Sequence, residues 1–563
     1  MTTRQRRSAR FGLSAASATA GVSAVEEADP DKVRPATREE TFPIALASVL
    51  LAFLALMASY SRGYLLLYGD AVAHLGIARR ILDSHNPGLV QLGGVWLPLP
   101  HLLMLPFVQK LEWWQNGLAG AWPSLICYIA SVVGLYRLAR RVMTPRWSIA
   151  ATAFYALNPN LLYLATTAMT EPLFLAILIW TTLLTVECVA GIQAARSAVV
   201  ARRLILLGLF ILAAVFTRYD GWIFGAAIWC VLTVTLARHR DVWRRVAPSF
   251  VVFTLLAVAG PISWLAYNQH FFHDPLDFLR GPYSAAAIDR KTSTPGSPHY
   301  RGWHDPVWAL SLYTRTAQID SAAWEIGFVV MAAALAGLVL AIRRKLALPA
   351  LLLWLPLPFY VYSIAYGSVP IFIPPLWPHS YYNSRYGMEM LPAFAIFAFL
   401  ILDWAQLRWS KSRAFVARLF QPIVLLLIAV NAVVMMHGLP VVLKEAVVNS
   451  TTRVAFEGAL ARELKTFPTG ASILMYNSDH VGVLQSAGLP LRQTVNEGDY
   501  DSWKAALAAP AEHADYVVAI AGDQVSTAVA VHPEGLTELS ILCTTGQPCA
   551  RIYRSSRFVP SRP

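Results

Sequence analysis

The chain has 563 residues, of which 56% are hydrophobic and only 14% charged, and it carries a net charge of +13. An ordinary globular chain has roughly 25% charged residues, so this composition excludes an ordinary soluble protein and points to repeated passage through a bilayer. The positive balance lies mainly in short turns between apolar runs, which gives no warrant for a nucleic-acid partner.

In chain order, residues 1–42 are polar, rich in Ala, Ser and Arg, and contain no apolar run; they read as a disordered cytoplasmic tail. A spanning helix needs about 20 apolar residues. Such runs follow near 43–61, 117–137, 147–165, 171–190, 203–217, 221–237, 247–268, 324–341, 347–366, 387–404 and 421–437. The expected fold is a polytopic α-helical membrane protein of about eleven transmembrane helices, with the membrane domain covering 43–439.

The turns after the second, fourth, sixth, eighth and tenth runs concentrate the cations. They hold Arg137, Arg140, Arg141 and Arg146, then Arg196, Arg202 and Arg203, then Arg238, Arg240, Arg244 and Arg245. Arg343, Arg344 and Lys345 follow, and then Arg408, Lys411, Arg413 and Arg418. Under the positive-inside rule these turns and the N-terminus face the cytoplasm, which makes a multi-pass protein of the cell membrane with its C-terminal part outside.

Three pieces are then extracytoplasmic. The first loop, about 62–116, contains an amphipathic stretch from Ala71 to Leu82 and an apolar stretch from Leu97 to Leu111, both suited to lying at the interface. The second is a loop of about 269–323, rich in Pro, His, Tyr and Trp. The third, 440–563, has an α/β rhythm: Ser472–Tyr476 and Tyr516–Ile520 read as strands and Val481–Ala487 as a helix, forming a small soluble domain. Of five cysteines, Cys127, Cys188 and Cys230 lie in apolar runs, while Cys543 and Cys549 are placed to pair in an oxidising compartment.

Residues able to do chemistry collect at the outer ends of the runs. Asp70 follows the first run by a few residues, where an ionised group near lipid needs a reason; an interfacial carboxylate facing water or capping a helix is the structural alternative. His74 is one helical turn further and shares its face, suited to orienting Asp70, to binding a phosphate, or simply to an interfacial position. In Thr170-Glu171-Pro172, Pro172 and Glu171 both suit a helix start, yet Glu171 adds a second acid on the side of Asp70. Thr217-Arg218-Tyr219-Asp220-Gly221 offers either an Arg218–Asp220 ion pair or a guanidinium for a phosphate. In Tyr381-Tyr382-Asn383-Ser384-Arg385-Tyr386 the tyrosines suit an aromatic belt, and Arg385 is a second phosphate candidate with Tyr382 beside it. Asp499-Tyr500-Asp501 has a metal-holding form but sits in a polar turn. His270, His273 and Asp274, like His299, His304 and Asp305, lack zinc spacing.

Taken in order, these pieces resemble the GT-C superfamily of membrane glycosyltransferases, in particular its family 39, the protein O-mannosyltransferase and lipid A aminoarabinose transferase group. The resemblance covers about 43–437. It rests on Gly69-Asp70-Ala71, Asn158-Pro159 through Thr170-Glu171-Pro172, Thr217 to Gly221, and Asn268 through Asp274-Pro275-Leu276-Asp277-Phe278. It implies a lipid-linked donor of the polyprenyl-phosphate sugar type and inverting transfer to an acceptor hydroxyl on the extracytoplasmic face. Asp70 would be the general base, and His74, Glu171, Arg218, Asp220, Tyr382 and Arg385 would bind substrate. The chemistry is coherent: the transition state is oxocarbenium-like, a carboxylate activates the hydroxyl, and arginines stabilise the departing phosphate.

One departure is informative. Many relatives have an Asp-Glu pair in the first loop, whereas Asp70 is followed by Ala71. A site without a resident metal or other cofactor is therefore expected, with a divalent ion left open. The acceptor is open between protein, lipid and glycan. The competing classes are a transporter or lipid flippase, which wants charges near mid-membrane, and a scaffold for the C-terminal domain. An oligosaccharyl transferase would want Trp-Trp-Asp, but Gln115 follows Trp113-Trp114.

Overall fold

The computed structural model describes residues 34–292, 299–346, 348–409 and 414–557. Most of the expected tail, 1–33, and Lys411 and Arg413 of the last basic turn lie outside the described residues.

Helix α1 (Arg38–Ser61) starts before the expected run because Thr37 and Glu40 cap each other. The Glu40 N–H donates to Thr37 Oγ1 at 3.2 Å and the Thr37 N–H to Glu40 Oε2 at 3.1 Å. The first loop folds into three short helices, α2 (Gly69–Arg80), α3 (Leu99–Val108) and α4 (Leu111–Asn116), before α5 (Leu118–Ala139).

The run at 147–165 is not the single span expected. It divides into α6 (Pro145–Ala156) and α7 (Pro159–Leu164). Asn158 is the reason: its Oδ1 accepts the N–H groups of Asn160 and Leu161 at 3.0 and 3.2 Å, and Pro159 takes the first helical position. A residue capping a new helix cannot also continue the old one. Ten helical segments among the described residues are long and apolar enough to cross a membrane, rather than eleven.

The bundle continues with α8 (Glu171–Gln193), α9 (Ser197–Val215), α10 (Asp220–Ala237) and α11 (Arg240–Phe272). The short fifth run thus gains a turn and more, reaching back to Ser197. Short helices α12 (Asp277–Arg280) and α13 (Ala285–Thr292), then α14 (Pro306–Ser321), occupy the second long loop. Helices α15 (Ile326–Arg344), α16 (Pro356–Tyr366), α17 (Leu391–Trp409) and α18 (Ala414–His437) complete the membrane part. The main packed pairs are α5 with α8, α9 with α11, and α15 with α17. Small residues set the closest approaches, since apolar side chains gain little from leaving lipid. At Gly337 any Cβ would fall 1.8 Å from the carbonyl oxygen of Phe397, so only glycine lets α15 meet α17.

After Pro440 the chain forms α19 (Val441–Leu464), and then a five-stranded sheet of order β2-β1-β3-β5-β4. Its strands are β1 (Ile473–Met475), β2 (Thr494–Val495), β3 (Tyr516–Ile520), β4 (Leu536–Leu542) and β5 (Ala550–Ser555). β1 pairs in parallel with β2 and β3, and β5 pairs antiparallel with both β3 and β4. Connecting helices α20 (Val481–Ala487), α21 (Asp501–Ala508), α22 (Pro510–His513) and α23 (Gln524–Val531) complete the unit. The α/β rhythm read from Ser472, Val481 and Tyr516 is present. Leu474, Val517, Ala519, Trp503 and Val525 fill one side of the sheet. A disulfide joins Cys543 to Cys549 across the β4–β5 connection.

This unit rests on the first loop. Gln91 Nε2 donates to the Gly498 carbonyl at 2.8 Å, and Gln485 Nε2 to that of Trp114 at 3.3 Å. The C-terminal part is therefore attached to the loop that begins at Asp70.

Candidate functional site

Four chain segments converge at one end of the bundle: the start of α2, the start of α8, the α9–α10 turn and the turn before α17. They line or back a cavity of about 950 Å³, whose wall includes Asp70, His74, Arg218, Asp220, Tyr382 and Arg385. Glu171 is not in the wall. It is 1% exposed and stands behind both arginines.

Arg385 is held on three edges. Nη2 donates to Asp70 Oδ2 at 2.5 Å, Nε donates to Glu171 Oε1 at 3.0 Å, and Nη1 faces Glu445 Oε1 at 3.8 Å. Its guanidinium also lies over the rings of Tyr68 and Tyr386, at 5.1 and 4.9 Å from their centroids. Arg218 is bound as densely. Nε donates to Asp220 Oδ2 at 3.3 Å, and Nη1 donates to Thr170 Oγ1 at 3.1 Å and Glu171 Oε1 at 3.5 Å. Nη2 donates to the Tyr360 hydroxyl at 2.6 Å and faces Glu389 Oε1 at 3.2 Å. Burial works against this charge, but Tyr360, Glu389, Asp220 and Glu171 together hold the Arg218 pKa well above its ordinary value.

The partners differ in exposure. The side chains of Glu171, Glu389 and Arg385 are 1%, 0% and 7% exposed, whereas that of Asp70 is 41% exposed. Asp70 is thus the partner of Arg385 that an incoming molecule can reach, and the buried acids are fixed supports. Glu171 also suits its place, since α8 begins there and the helix dipole favours an anion.

His74 lines the cavity but is not bonded to Asp70, as its helical spacing had suggested. Its Nδ1 lies 2.8 Å from Nε2 of His101, and Trp96 packs on its ring with centroids 4.3 Å apart. Burial, and then the charges of Arg385 and Arg218, lower its pKa to about 3. His74 is therefore a neutral polar wall, not a cationic phosphate ligand. Tyr382 is fixed by a backbone pair with Phe372 at 2.9 and 3.0 Å. Burial, and then the charge of Asp70, push its phenol up to about 12, so it keeps its proton to donate.

The Asn268–Phe278 motif supports the wall and, through Phe278, forms part of it. Gly94 packs so closely that a Cβ would fall 2.0 Å from Asp277 Oδ2 and 2.9 Å from Asn268 Oδ1. The Tyr219 hydroxyl donates to the Val95 carbonyl at 2.6 Å, and its ring stacks on Phe278. These contacts hold Val95, Trp96 and Leu97 in the lining.

Three contributors were not singled out from the sequence. Glu389 had a usable signal, an acid inside an expected apolar run, where a charge is costly. Tyr360, in the ninth run, and Glu445, beyond the last one, had none. In Asp499-Tyr500-Asp501 the acids diverge: Asp499 is buried, accepting the Asn496 N–H at 2.9 Å, while Asp501 is exposed. Among the described residues no group of three or more His, Cys, Asp or Glu side chains is arranged to hold a metal, including the two histidine sets of the second loop.

Comparison with known proteins bears on the fold. The family described as dolichyl-phosphate-mannose-protein mannosyltransferase matches residues 98–264. A crystal structure of ArnT from Cupriavidus metallidurans bound to undecaprenyl phosphate superposes with a TM-score of 0.56 at 15% identity, covering 93% of this chain and 100% of that one. The apo ArnT structure from the same organism gives 0.49 at 16% identity, covering 90% and 99%. An Archaeoglobus fulgidus oligosaccharyltransferase gives 0.43 at 11% identity, covering 92% and 73%. No curated protein sequence matches the chain. The fold is that of the GT-C membrane glycosyltransferases, a polytopic helical domain with a small C-terminal α/β unit, as the ordered motifs implied.

Proposed function

We propose that the chain is an inverting glycosyltransferase that moves a sugar from a polyprenyl-phosphate donor to an acceptor hydroxyl, on the extracytoplasmic side of the membrane. The observation that carries this reading is the meeting of one accessible carboxylate, Asp70, with two largely enclosed, many-partnered guanidinium groups on a single cavity. The fold match to a protein that binds undecaprenyl phosphate supports the donor class. The placement of Arg137, Arg203 and Arg244 at the other end of the bundle supports the orientation.

In this mechanism the acceptor O–H gives its proton to Asp70 as the oxygen attacks the anomeric carbon. The bond from that carbon to the phosphate oxygen breaks on the opposite face, so configuration inverts. Negative charge grows on the leaving polyprenyl phosphate, where the fixed positive charges of Arg385 and Arg218 stabilise it. The protonated phenol of Tyr382 donates to the phosphate or to a sugar hydroxyl. Glu171, Glu389 and Asp220 do not react; they hold the arginines in register. Without them, two cations would have to be kept in a largely dry site unpaired.

The test is to incubate purified full-length protein with a panel of polyprenyl-phosphate sugars and to follow free polyprenyl phosphate by mass spectrometry. At least one donor should release it in the presence of an acceptor hydroxyl. Release from none of them, across protein, lipid and glycan acceptors, refutes the reading.

A further inference from the structure

Helix α19 follows the membrane part, yet it touches both halves of the site. Near its start Glu445 is buried and absent from the cavity wall, so it has no route to substrate. Its carboxylate is nevertheless fully used. Oε1 accepts the Asn383 N–H at 2.9 Å, and Oε2 accepts the Ser384 N–H at 2.8 Å and the Ser384 hydroxyl at 2.5 Å. These are the two residues before Arg385, whose Nη1 lies 3.8 Å from the same carboxylate. Asn383 has φ of +55°, a backbone state that few residues other than Gly and Asn adopt. Charge-assisted bonds to its N–H and to the next one fix the turn in that state.

One turn further along α19, Asn449 Nδ2 donates to the Tyr381 carbonyl at 3.0 Å. A further turn on, Arg453 Nη2 donates to the carbonyls of Leu66 and Leu67, at 3.1 and 2.9 Å. Those carbonyls immediately precede Tyr68-Gly69-Asp70. Glu457 accepts from the other side of the same guanidinium at 2.7 Å. The start of α19 is itself pinned, because the Val442 N–H donates to Asn160 Oδ1 at 2.9 Å. One rigid helix thus grips the turn carrying Arg385 and the turn leading into Asp70.

We propose that Glu445 is a positioning residue that acts through Arg385, and that α19 makes the C-terminal segment a working part of the catalytic unit. The spacing between Asp70 and Arg385 is set from α19, because that one helix bonds the backbone on the N-terminal side of each. Glu171 and Glu445 flank two edges of the guanidinium, so the edge that meets Asp70 at the cavity is held in one orientation. This inference rests on the roles proposed above for Asp70 and Arg385.

The experiment is a double-mutant cycle on full-length protein in lipid nanodiscs, using the donor found by the mass-spectrometric screen. Glu445→Ala should lower kcat/KM for the donor by at least about 10-fold, the scale of a lost charge-assisted hydrogen bond. In an Arg385→Lys background the same change should cost less than about 3-fold, since little is left there to position. Ser384→Ala, which removes one bond and exposes no charge, should lose about 3-fold and show the same coupling. Thermal unfolding midpoints identify any variant that fails to fold, and Ser384→Ala with Glu445→Gln then carries the cycle. Unchanged kinetics in a folded Glu445 variant, or equal losses in both backgrounds, overturn the positioning role. A wild-type protein inactive with every donor refutes the functional reading instead, before any variant is made, and this inference falls with it.

Discussion

Helix α8 carries a glutamate near each end, and each one bridges two arginines. Glu187, toward the C-terminal end, pairs with Arg141 and lies 2.9 Å from Arg203. Glu171, at the N-terminal end, pairs with Arg385 and Arg218 at 3.0 and 3.5 Å. The diagrams of contacts look alike, but the surroundings do not. The arginines at Glu187 are 23% and 25% exposed, belong to the basic turns, and line no described cavity of the site. Those at Glu171 are 7% and 15% exposed, have further acid and phenol partners, and face a large cavity beside an accessible carboxylate. An arginine–glutamate contact alone says little about function. The distinguishing features are cations kept dry by more acids than they need, and one acid left within reach.

That contrast breaks most sharply at Asp70. Asp70→Asn keeps the shape and removes the base, so turnover should fall by at least about 100-fold while the protein stays folded; normal turnover would make Asp70 no more than another interfacial charge. Arg385→Lys or Arg218→Lys keeps the charge but loses the fork. Donor KM should rise roughly 10-fold for each, with a smaller change in kcat, as measured by steady-state kinetics over a donor series.

The histidine pair sharpens the comparison through pH. His74 has its folded pKa lowered to about 3, by burial first, and burial likewise lowers that of His101. Both stay neutral when folded and take up protons when unfolded, below an unfolded pKa of about 6.5. Stability is therefore complete above that value and declines as pH falls toward 3, by at most about 2 kcal/mol for each residue at pH 5. Thermal midpoints between pH 8 and 5 should fall for wild type and fall less for His74→Gln. The smallest effect is expected at the other end of α8. Glu187→Gln should change kcat/KM by less than about 2-fold and cost about 1 kcal/mol of stability, because its partners are partly hydrated.

Much of this was legible in the chain because the relevant residues stand at helix ends, where sequence signals are strongest. Asp70, Glu171, Arg218 and Arg385 each interrupt or border an apolar run, and a charge there is expensive enough to be conspicuous. The break at Asn158-Pro159 was equally legible as a cap followed by a first-turn proline, but the continuous apolarity of 147–165 concealed it. Pairwise geometry was not legible. Helical spacing put His74 with Asp70, whereas packing put it with His101, a residue 27 positions away. Glu445 sits in a helix of ordinary mixed composition, and nothing local shows that its carboxylate closes a turn 61 residues earlier.

On the proposed mechanism, the short contact between Arg385 Nη2 and Asp70 Oδ2 has a kinetic consequence. If the donor phosphate takes that edge of the guanidinium, it and Asp70 are rivals for one seat, and arrival of the phosphate frees the carboxylate. The acceptor would then meet a competent base only after the donor is in place, giving an ordered sequence with the lipid-linked sugar leading. Spent polyprenyl phosphate, leaving last, would inhibit competitively against the donor and noncompetitively against the acceptor.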